Sequence, residues 1–359
     1  MRPLPPFQRV ADSPTVKYYV DWTSFEPYLE EAPRATAGAV DEELLELLGI
    51  KADLELRVDE ANPEPADIDW QAEAWRLMEF HRSNLSLHKE VKAKGAASVL
   101  VEKPVSGVKS SHVRLLLGEG ARVNVVLLSP PSARGLHTLT LDVEVEPNAD
   151  AALLLIVHDS LEAPGFIAQR ATVGSGARLT QLTVVGRGYT SYVELSYRIR
   201  EGGALRLMGA LAAPRRSTVA LVSNASVEGA KAAAEIDVRG FARGGTLVHK
   251  GIAKVCSGAD GSSLRFSSSL TPLEEGSRVY AAPMPEVYSN SAAEVSHSAS
   301  HAPLNEDELF YLRARGFDER DALKLVIEGS YKRLLDVFPG AEAVSRLLPI
   351  IVQSLTTDI

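Results

Sequence analysis

The chain has 359 residues, of which 45% are hydrophobic, and its formal net charge is −9. This length exceeds one average domain, so we expect two or three structural units with a substantial buried core. The acidic balance argues against a nucleic-acid partner, because phosphate binding needs clustered Lys and Arg side chains.

The single cysteine, Cys256, excludes a disulfide within one chain and a metal site built from several thiolates. The N-terminal residues contain no apolar core of the kind that a signal peptide carries. The most apolar run, residues 151–157, is far shorter than the ~20 residues that span a bilayer. We therefore expect a soluble, cytoplasmic protein without a membrane partner.

Residues 1–92 are predicted to form a mainly helical N-terminal region. Asp41 precedes two glutamates and an apolar run that ends at Gly49, which is the charge order and the stop signal of a short helix. An acidic, proline-bearing linker follows at 59–68, and Asp69 is a candidate cap for a second helix. The apolar stripe of that helix would comprise Trp70, Ala74, Leu77 and Phe80.

From about residue 93 to residue 302 the sequence predicts strands and turns. Short runs rich in Val, Leu and Thr, such as 113–117, 123–128 and 139–145, have the length and the β-branched content of strands. The turns between them resemble one another. One marker residue can be chosen in each of the first five turns: Gly118, Pro147, Gly174, Gly202 and Gly229. Successive markers are 29, 27, 28 and 27 residues apart.

A repeat of this length, with two or three short strands and compact turns per unit, favours a β-solenoid (β-helix) core. Small residues would then occupy the corners, where the chain turns without room for a bulky side chain. The alternative is an all-β sandwich, which short strands with glycine-containing turns also suit.

Residues 303–359 are predicted to form a C-terminal helical domain. Asn305 and Glu308 have the spacing of a capping pair, Gly316 is a candidate stop, and Asp318 begins the next helix. A last helix would be kinked at Pro349. The apolar stripe of the second helix comprises Leu323, Ile327, Tyr331, Leu334 and Phe338.

Several catalytic patterns are absent from the sequence. There is no phosphate-binding loop of the Gly-x-x-x-x-Gly-Lys-Ser/Thr type, so we expect no nucleotide hydrolysis by this chain. A carbohydrate-active β-solenoid enzyme would need clustered carboxylates and sugar-stacking aromatics, and aromatic residues are only 6% of the chain. His297 and His301 are close in sequence, but on an extended strand they would lie ~13 Å apart, too far to share one metal ion.

Two runs near the C-terminus resemble a known family. Residues 294–300, Glu-Val-Ser-His-Ser-Ala-Ser, and residues 304–329, which contain Phe-Tyr-Leu-Arg-Ala-Arg-Gly-Phe, are similar to the C-terminal signature of the SufB/SufD family of iron–sulfur cluster assembly scaffolds. In that family a histidine-containing strand is followed by an acidic helix, an Arg-Gly stop and a second helix. The order of helices, strands and helices is compatible with the family over the whole chain.

The resemblance implies a non-catalytic scaffold subunit that carries a transient iron–sulfur cluster at a subunit interface. It also implies two partners. One is an ABC-type ATPase, SufC, bound by the C-terminal helices, and the other is a second SufB/SufD chain or another copy of this chain, paired through the β-solenoid to form a dimer. Some complexes of the family carry flavin, for which this sequence gives no sign.

The chain departs from the SufB pattern where that pattern has an essential cysteine. Counting back from the histidine without gaps leads to Ser267, Ser268 and Ser269, and Cys256 lies 13 residues before Ser269. Serine is a poor substitute for a thiolate as an iron ligand, because its alkoxide is inaccessible near neutral pH. SufB also has Glu after its histidine, where this chain has Ser298. The resemblance is therefore closer to SufD.

By the resemblance, His297 is the leading candidate for an iron or cluster ligand, and Glu294 and His301 are weaker candidates. The helices that would form or support the ATPase-binding surface contain Leu309, Phe310, Leu323, Ile327 and Tyr331. Two alternatives remain open from the sequence: a purely structural assembly subunit that does not contact iron, and the carbohydrate-active enzyme.

Overall fold

A β-solenoid of about eight turns forms the centre of the protein and confirms the predicted fold class. The computed structural model describes residues 20–31, 34–62, 68–339 and 342–356. Almost every turn of the solenoid contributes one strand to each of two parallel sheets, so the sandwich alternative is wrong. The strands stack in register at the repeat length of the sequence, as Thr190, Thr218 and Thr246 show by pairing in succession.

The eight-stranded sheet contains, in spatial order, β18 (Arg278–Val287), β16 (Thr246–Val255), β14 (Thr218–Val227), β12 (Thr190–Ile199), β10 (Gly165–Val173), β8 (Leu136–Val145), β6 (Val108–Leu117) and β3 (Leu85–Ala93). The nine-stranded sheet contains β19 (Glu294–Ser300), β17 (Ser263–Pro272), β15 (Ala233–Ala242), β13 (Ala204–Ala213), β11 (Arg178–Arg187), β9 (Asp150–His158), β7 (Arg122–Leu128), β4 (Ala96–Val101) and β2 (Leu54–Leu56). A small antiparallel pair is formed by β1 (Gly38–Ala39) and β5 (Lys103–Pro104).

The repeated turns all lie at one corner of the solenoid, where a strand of the eight-stranded sheet leads into the nine-stranded sheet. The turns bond to one another: the Gly176 N–H donates to the Glu201 carbonyl, and the Gly202 N–H donates to the Ala230 carbonyl. Gly176 and Gly202 have φ values of 67° and 64°, which glycine adopts without the steric cost of a Cβ. The regular glycine spacing in the sequence reflects this stacking of corners.

Between the two sheets, inward side chains form continuous apolar rows. One row runs through Val145, Val173, Ile199, Val227 and Val255, which are direct neighbours on successive strands and are almost completely buried. Full burial of one such side chain contributes roughly 1.5–3 kcal/mol relative to exposure. Each rung therefore supplies a hydrophobic surface that only the next rung can cover.

Helices cover the outward faces of both sheets. A 3-10 helix (Trp22–Phe25), α1 (Glu26–Glu31) and α3 (Trp75–Asn84) lie on the eight-stranded sheet, whereas α2 (Glu42–Leu48), α5 (Glu319–Leu335) and α6 (Glu342–Thr356) lie on the nine-stranded sheet. This double coverage explains why a strand such as β9 reads as a continuous apolar run instead of an alternating one.

The predicted start of the second N-terminal helix at Asp69 is wrong, because α3 begins at Trp75 with Ala74 as its N-cap. Asp69 instead forms an ion pair of 2.7 Å with Arg170 of β10. Leu77 and Phe80 are buried as expected. Part of the predicted linker, residues 63–67, lies outside the described residues.

The C-terminal helices follow the sequence more closely. Asn305 caps α4 (Glu306–Ala314) by accepting from the Asp307 N–H, and Asp318 caps α5 by accepting from the Asp321 N–H. Gly316 has a φ of 98° and separates the two helices. Pro349 lies inside α6. Within the described residues, no helix combines the length and the apolar character needed to cross a membrane.

A buried carboxylate fastens the N-terminal helices to the solenoid. Both oxygens of Glu194, on β12, accept from the Glu73 N–H at 2.7 and 2.9 Å, and the Tyr192 hydroxyl donates to Glu194 at 3.0 Å. Glu73 in turn pairs with Lys250 at 2.7 Å. Burial raises the pKa of Glu194 to about 7, and the hydrogen bond from the Glu73 backbone offsets only part of that effect.

We predict that Glu194→Gln changes the pH dependence of folding. The folded protein retains the Glu194 proton up to about pH 7, whereas the unfolded chain releases it near pH 4.5, so the wild type loses stability as pH rises through this window. The loss amounts to about 3 kcal/mol and should be absent from Glu194→Gln. Urea unfolding from pH 4.5 to pH 8 measures it. The exposed Glu144→Gln should keep the wild-type slope, and parallel curves for wild type and Glu194→Gln would contradict the prediction.

Candidate functional site at the open end of the solenoid

His297 lies at the middle of β19, the last strand of the nine-stranded sheet. Among the described residues, β19 pairs with β17 and with no other strand, and His297 is the register partner of Phe266. Because Val295 packs against the interior core and side chains alternate along a strand, His297 belongs to the inward-facing set. Its side chain is nevertheless exposed, since no further rung of the described chain covers it.

The two weaker candidates do not join His297. Glu294 belongs to the opposite face of β19 and forms an ion pair of 3.0 Å with Arg265. His301 follows the end of β19 and is exposed. No group of three or more His, Cys, Asp or Glu side chains able to hold a metal ion occurs in the part of the chain that the structure describes. A metal held at His297 would therefore need ligands from outside the described residues.

The three serines on β17 divide between the two faces of the strand. Ser268 is buried in the interior, where its hydroxyl lies 2.9 Å from Nδ1 of His249. Ser267 is half-buried, and its hydroxyl accepts from the Ser298 hydroxyl at 3.1 Å. Within the described residues, no thiol takes part in these contacts.

His249 was not recognised from the sequence. Its Nε2 lies 2.8 Å from the Ser223 hydroxyl, so both ring nitrogens are hydrogen-bonded, and the ring packs 5.5 Å from Phe266. Burial lowers its pKa to about 3, so the ring is neutral. The signal that could have revealed it is a set of polar residues at inward positions, with Ser223 and His249 on the neighbouring strands β14 and β16 and Ser268 on β17 of the other sheet. His249 is therefore a buried core residue whose two ring nitrogens both have hydrogen-bond partners.

Cys256 lies in the turn after β16 and is half-buried. Burial, followed by the nearby Glu228 carboxylate, raises the pKa of its thiol. A raised pKa reduces the thiolate fraction, and the thiolate is the form that binds metals and accepts sulfur. Cys256 thus lies in a turn and not on β17, and its thiolate fraction is reduced.

Helix α4 exposes an aromatic surface beside the open end. None of its residues is buried, and Phe310 and Tyr311 are 73% and 56% exposed. Phe317, after the helix, is 42% exposed. A cleft of about 580 Å³ separates α4 and α5 from the end of the solenoid. A cluster of exposed aromatic side chains is typical of protein-binding surfaces.

The five predicted docking residues have different surroundings. Phe310 is exposed, whereas Leu309 and Leu323 are half-buried. Ile327 and Tyr331 are buried between α5 and the nine-stranded sheet, where Tyr331 donates to the Leu211 carbonyl and meets Phe241 edge-on at 5.3 Å. Of these five, Phe310 is the most exposed, at 73%.

A groove of about 420 Å³ on the outward face of the nine-stranded sheet bears on the carbohydrate alternative. Its carboxylates are engaged by arginines, since Glu235 pairs with Arg206 at 2.9 Å and Glu294 pairs with Arg265 at 3.0 Å. The described residues that line the groove include no aromatic side chain on which a sugar ring could stack. The groove therefore does not favour a carbohydrate-active enzyme.

Together these features define a β-solenoid protein with a terminal strand that has one free edge, a single exposed histidine on that strand and an exposed helical surface beside it. The family described as SUF system FeS cluster assembly, SufBD core domain, matches residues 100–330, which is more than half of the chain. The chain belongs to this family, as the resemblance near its C-terminus predicted.

Two curated relatives support the same family. A SufBD family protein of iron–sulfur cluster assembly, slr0074 from Synechocystis sp. (strain ATCC 27184 / PCC 6803 / Kazusa), is 33% identical over 92 residues, or 25% of this chain and 19% of the relative. The chloroplastic SufBD family protein ABCI8 of Arabidopsis thaliana is 32% identical over 106 residues, or 28% of this chain and 18% of the relative. The matched segments thus span about a fifth of each relative's length.

We predict stability effects of very different size for alanine substitution of the two histidines at this end of the solenoid. His249→Ala should lower the free energy of unfolding by about 3 kcal/mol, because it leaves a cavity and two buried hydroxyls without their partner. His297→Ala should change it by no more than about 0.5 kcal/mol, because the side chain is exposed. Chemical denaturation measures both. A large loss for His297→Ala would show that His297 is a structural residue.

Proposed function

We propose that this chain is a cytoplasmic, non-catalytic scaffold subunit of a SUF-type iron–sulfur cluster assembly complex. The observation that carries the proposal is the single exposed imidazole at the centre of a terminal strand with one free edge, in a chain of the SufBD family. The single cysteine also suits a reducing compartment. The chain pairs with a second SufB/SufD chain, or with another copy of itself, at the open end of the solenoid.

In this proposal His297 supplies one ligand to the cluster, which is the cargo of the complex. A neutral imidazole is a common iron ligand, and His297 is exposed at the junction where a second chain would dock. Its neighbours on β17 and β19 include Ser267, Ser268 and Ser298, whose hydroxyls do not replace thiolates. The sulfur must therefore come from another subunit.

The second part of the proposal is that α4 and the exposed side of α5 bind a SufC-like ABC ATPase. Three acidic residues occupy the first turn of α4, and Phe310 and Tyr311 follow on the same short helix. Phe310 supplies apolar contact area, while Ile327 and Tyr331 hold α5 against the solenoid and so position the surface. Nucleotide hydrolysis would then belong to the partner.

We predict that His297→Ala lowers the iron and sulfide content of the complex after anaerobic reconstitution with its partner subunits. The expected loss is about twofold or more, because one cluster ligand is removed. Glu294→Gln and His301→Ala are the matched controls and should retain the wild-type content, because their side chains lie apart from His297. Unchanged iron and sulfide in His297→Ala would favour the purely structural alternative, in which the chain never contacts the cluster.

We predict that Phe310→Asp weakens binding of the purified ATPase by about tenfold or more, because a charge replaces an exposed aromatic anchor. Calorimetric titration measures the affinity. Tyr288→Asp is the control, since Tyr288 is also exposed, at 61%, but lies on the solenoid after β18. Equal affinities of wild type and Phe310→Asp would contradict the proposed docking surface, and failure of the wild type to bind any ABC ATPase would contradict this part of the function.

A further inference from the structure

An irregular segment, residues 68–74, crosses the outward face of the eight-stranded sheet just before α3, and we call it the strap. Every second residue of the strap is buried against the sheet, namely Ile68, Trp70 and Ala72. Near its start, Asp69 pairs with Arg170 of β10 at 2.7 Å. Because the strap runs across the strands and not along them, it can join rungs that lie far apart in the sequence.

Glu73, near the end of the strap, contacts three successive strands of this sheet. Its N–H donates to Glu194 of β12, and its carboxylate accepts from the Asn224 side chain of β14 at 3.3 Å and pairs with Lys250 of β16 at 2.7 Å. The Lys250 side chain is only 4% exposed, so loss of the carboxylate would leave a buried charge without its partner. Glu73 therefore joins β16 to the two rungs before it.

The hydrogen-bond ladder between β14 and β16 is interrupted beside Glu73. Two consecutive residues on each strand are left out of the register that otherwise pairs the two strands. The Ile252 N–H donates to the Asn224 side chain at 2.9 Å, where a regular parallel ladder would use a backbone carbonyl. A Cβ at Gly251 would collide with the Ser223 carbonyl oxygen, so this close approach of the backbones requires glycine. We call this interruption the seam.

The opposite wall of the same rungs is continuous. β15 and β17 pair without a shift in register, from Ala233 with Ser263 to Ala242 with Pro272. β16 and β18, on the far side of the seam, also keep a complete register with each other. The last rungs, β16 to β19, are thus held by a full ladder on one wall and by an interrupted ladder with Glu73 across it on the other. A unit held in this way opens on its weaker wall.

We propose that the strap is a conformational latch: Glu73 holds the seam closed, and its release lets β16–β19 open on the side of the eight-stranded sheet, with the β15–β17 ladder as the hinge. Opening separates Ser223 of β14 from His249 of β16, whose side chains lie 2.8 Å apart behind the seam. Because β19 carries His297, the latch controls the position of that residue from the other sheet. The inference concerns the chain alone and does not depend on cluster binding.

The backbone amides of β16 and β17 report on the two walls separately. On β16 the even-numbered amides point across the seam, as the bonds from Thr246 to Ser217 and from Cys256 to Val227 show. On β17 the odd-numbered amides point toward β15, as the bond from Ser263 to Ala232 shows. Hydrogen exchange at these two sets of amides therefore distinguishes opening of the seam from unfolding of the whole end.

We predict that Glu73→Ala raises the exchange rates of the Val248 and Lys254 amides about tenfold or more, because the opening of the seam becomes easier. The Ser267 amide of β17 should keep its wild-type rate, because the hinge is intact. Asp69→Asn, at the other end of the strap, is the control and should leave the rates at the seam unchanged. Unchanged rates at Val248 and Lys254 in Glu73→Ala, or equal acceleration at Ser267, would overturn the latch.

A disulfide across the seam gives an independent test. Ser226 and Lys254 are register partners on β14 and β16, and neighbouring strands have the spacing that a disulfide needs. In a Cys256→Ala background that also contains Glu73→Ala, oxidation of Ser226→Cys with Lys254→Cys should return the exchange rate of the Val248 amide to the wild-type value. Reduction should raise it again. A rate that stays high in the oxidised protein would show that the motion does not open the seam, and would overturn the proposal.

Discussion

The parallel hydrogen-bond ladder between rungs is the constraint on which the structure depends. Each strand satisfies the backbone groups and covers the apolar side chains of the strand one turn earlier, as the Val145 to Val255 row illustrates. Every rung of such a stack can pair with a further rung, so the last rung is left with unpaired backbone groups on one side. The terminal strands therefore have to be blocked or covered, and the proposed cluster site lies at that end.

Most of the helices cover the outward faces of the two sheets, whereas α4 remains exposed. The N-terminal helices and α2, α5 and α6 cover the two sheet faces, and polar links such as Glu194 with the Glu73 backbone fix them in place. Helix α4 buries none of its residues and lies beyond this packing. Covered faces, a strand with one free edge and an exposed helix at one end are compatible with the proposed scaffold role, in which the chain holds its partners in a fixed relation.

Sequence patterns predicted the features that repeat locally. The turn spacing at Gly118, Gly174 and Gly202 indicated the solenoid because every rung needs the same corner, and Asn305 and Asp318 marked helix starts because capping involves only neighbouring residues. Tertiary contacts decided the rest. Asp69 pairs with Arg170 instead of capping a helix.

The same limit applies to the candidate site. The stripe of Leu323, Ile327 and Tyr331 has one periodicity whether it packs on the solenoid or on a partner, and the structure buries the last two. His249 and His297 likewise cannot be distinguished as residue types. Only the stacking of strands shows that one is enclosed with two serine hydroxyls and the other is left at the open end.

The most direct test of the central claim is pulsed electron paramagnetic resonance on the reconstituted, reduced complex with ¹⁵N-histidine incorporated only into this chain. A nitrogen coupling to the cluster that is present in the wild type and lost in His297→Ala is the expected result. A cluster that assembles with normal yield and shows no coupling to histidine of this chain would contradict the assignment of His297 as a ligand at the junction.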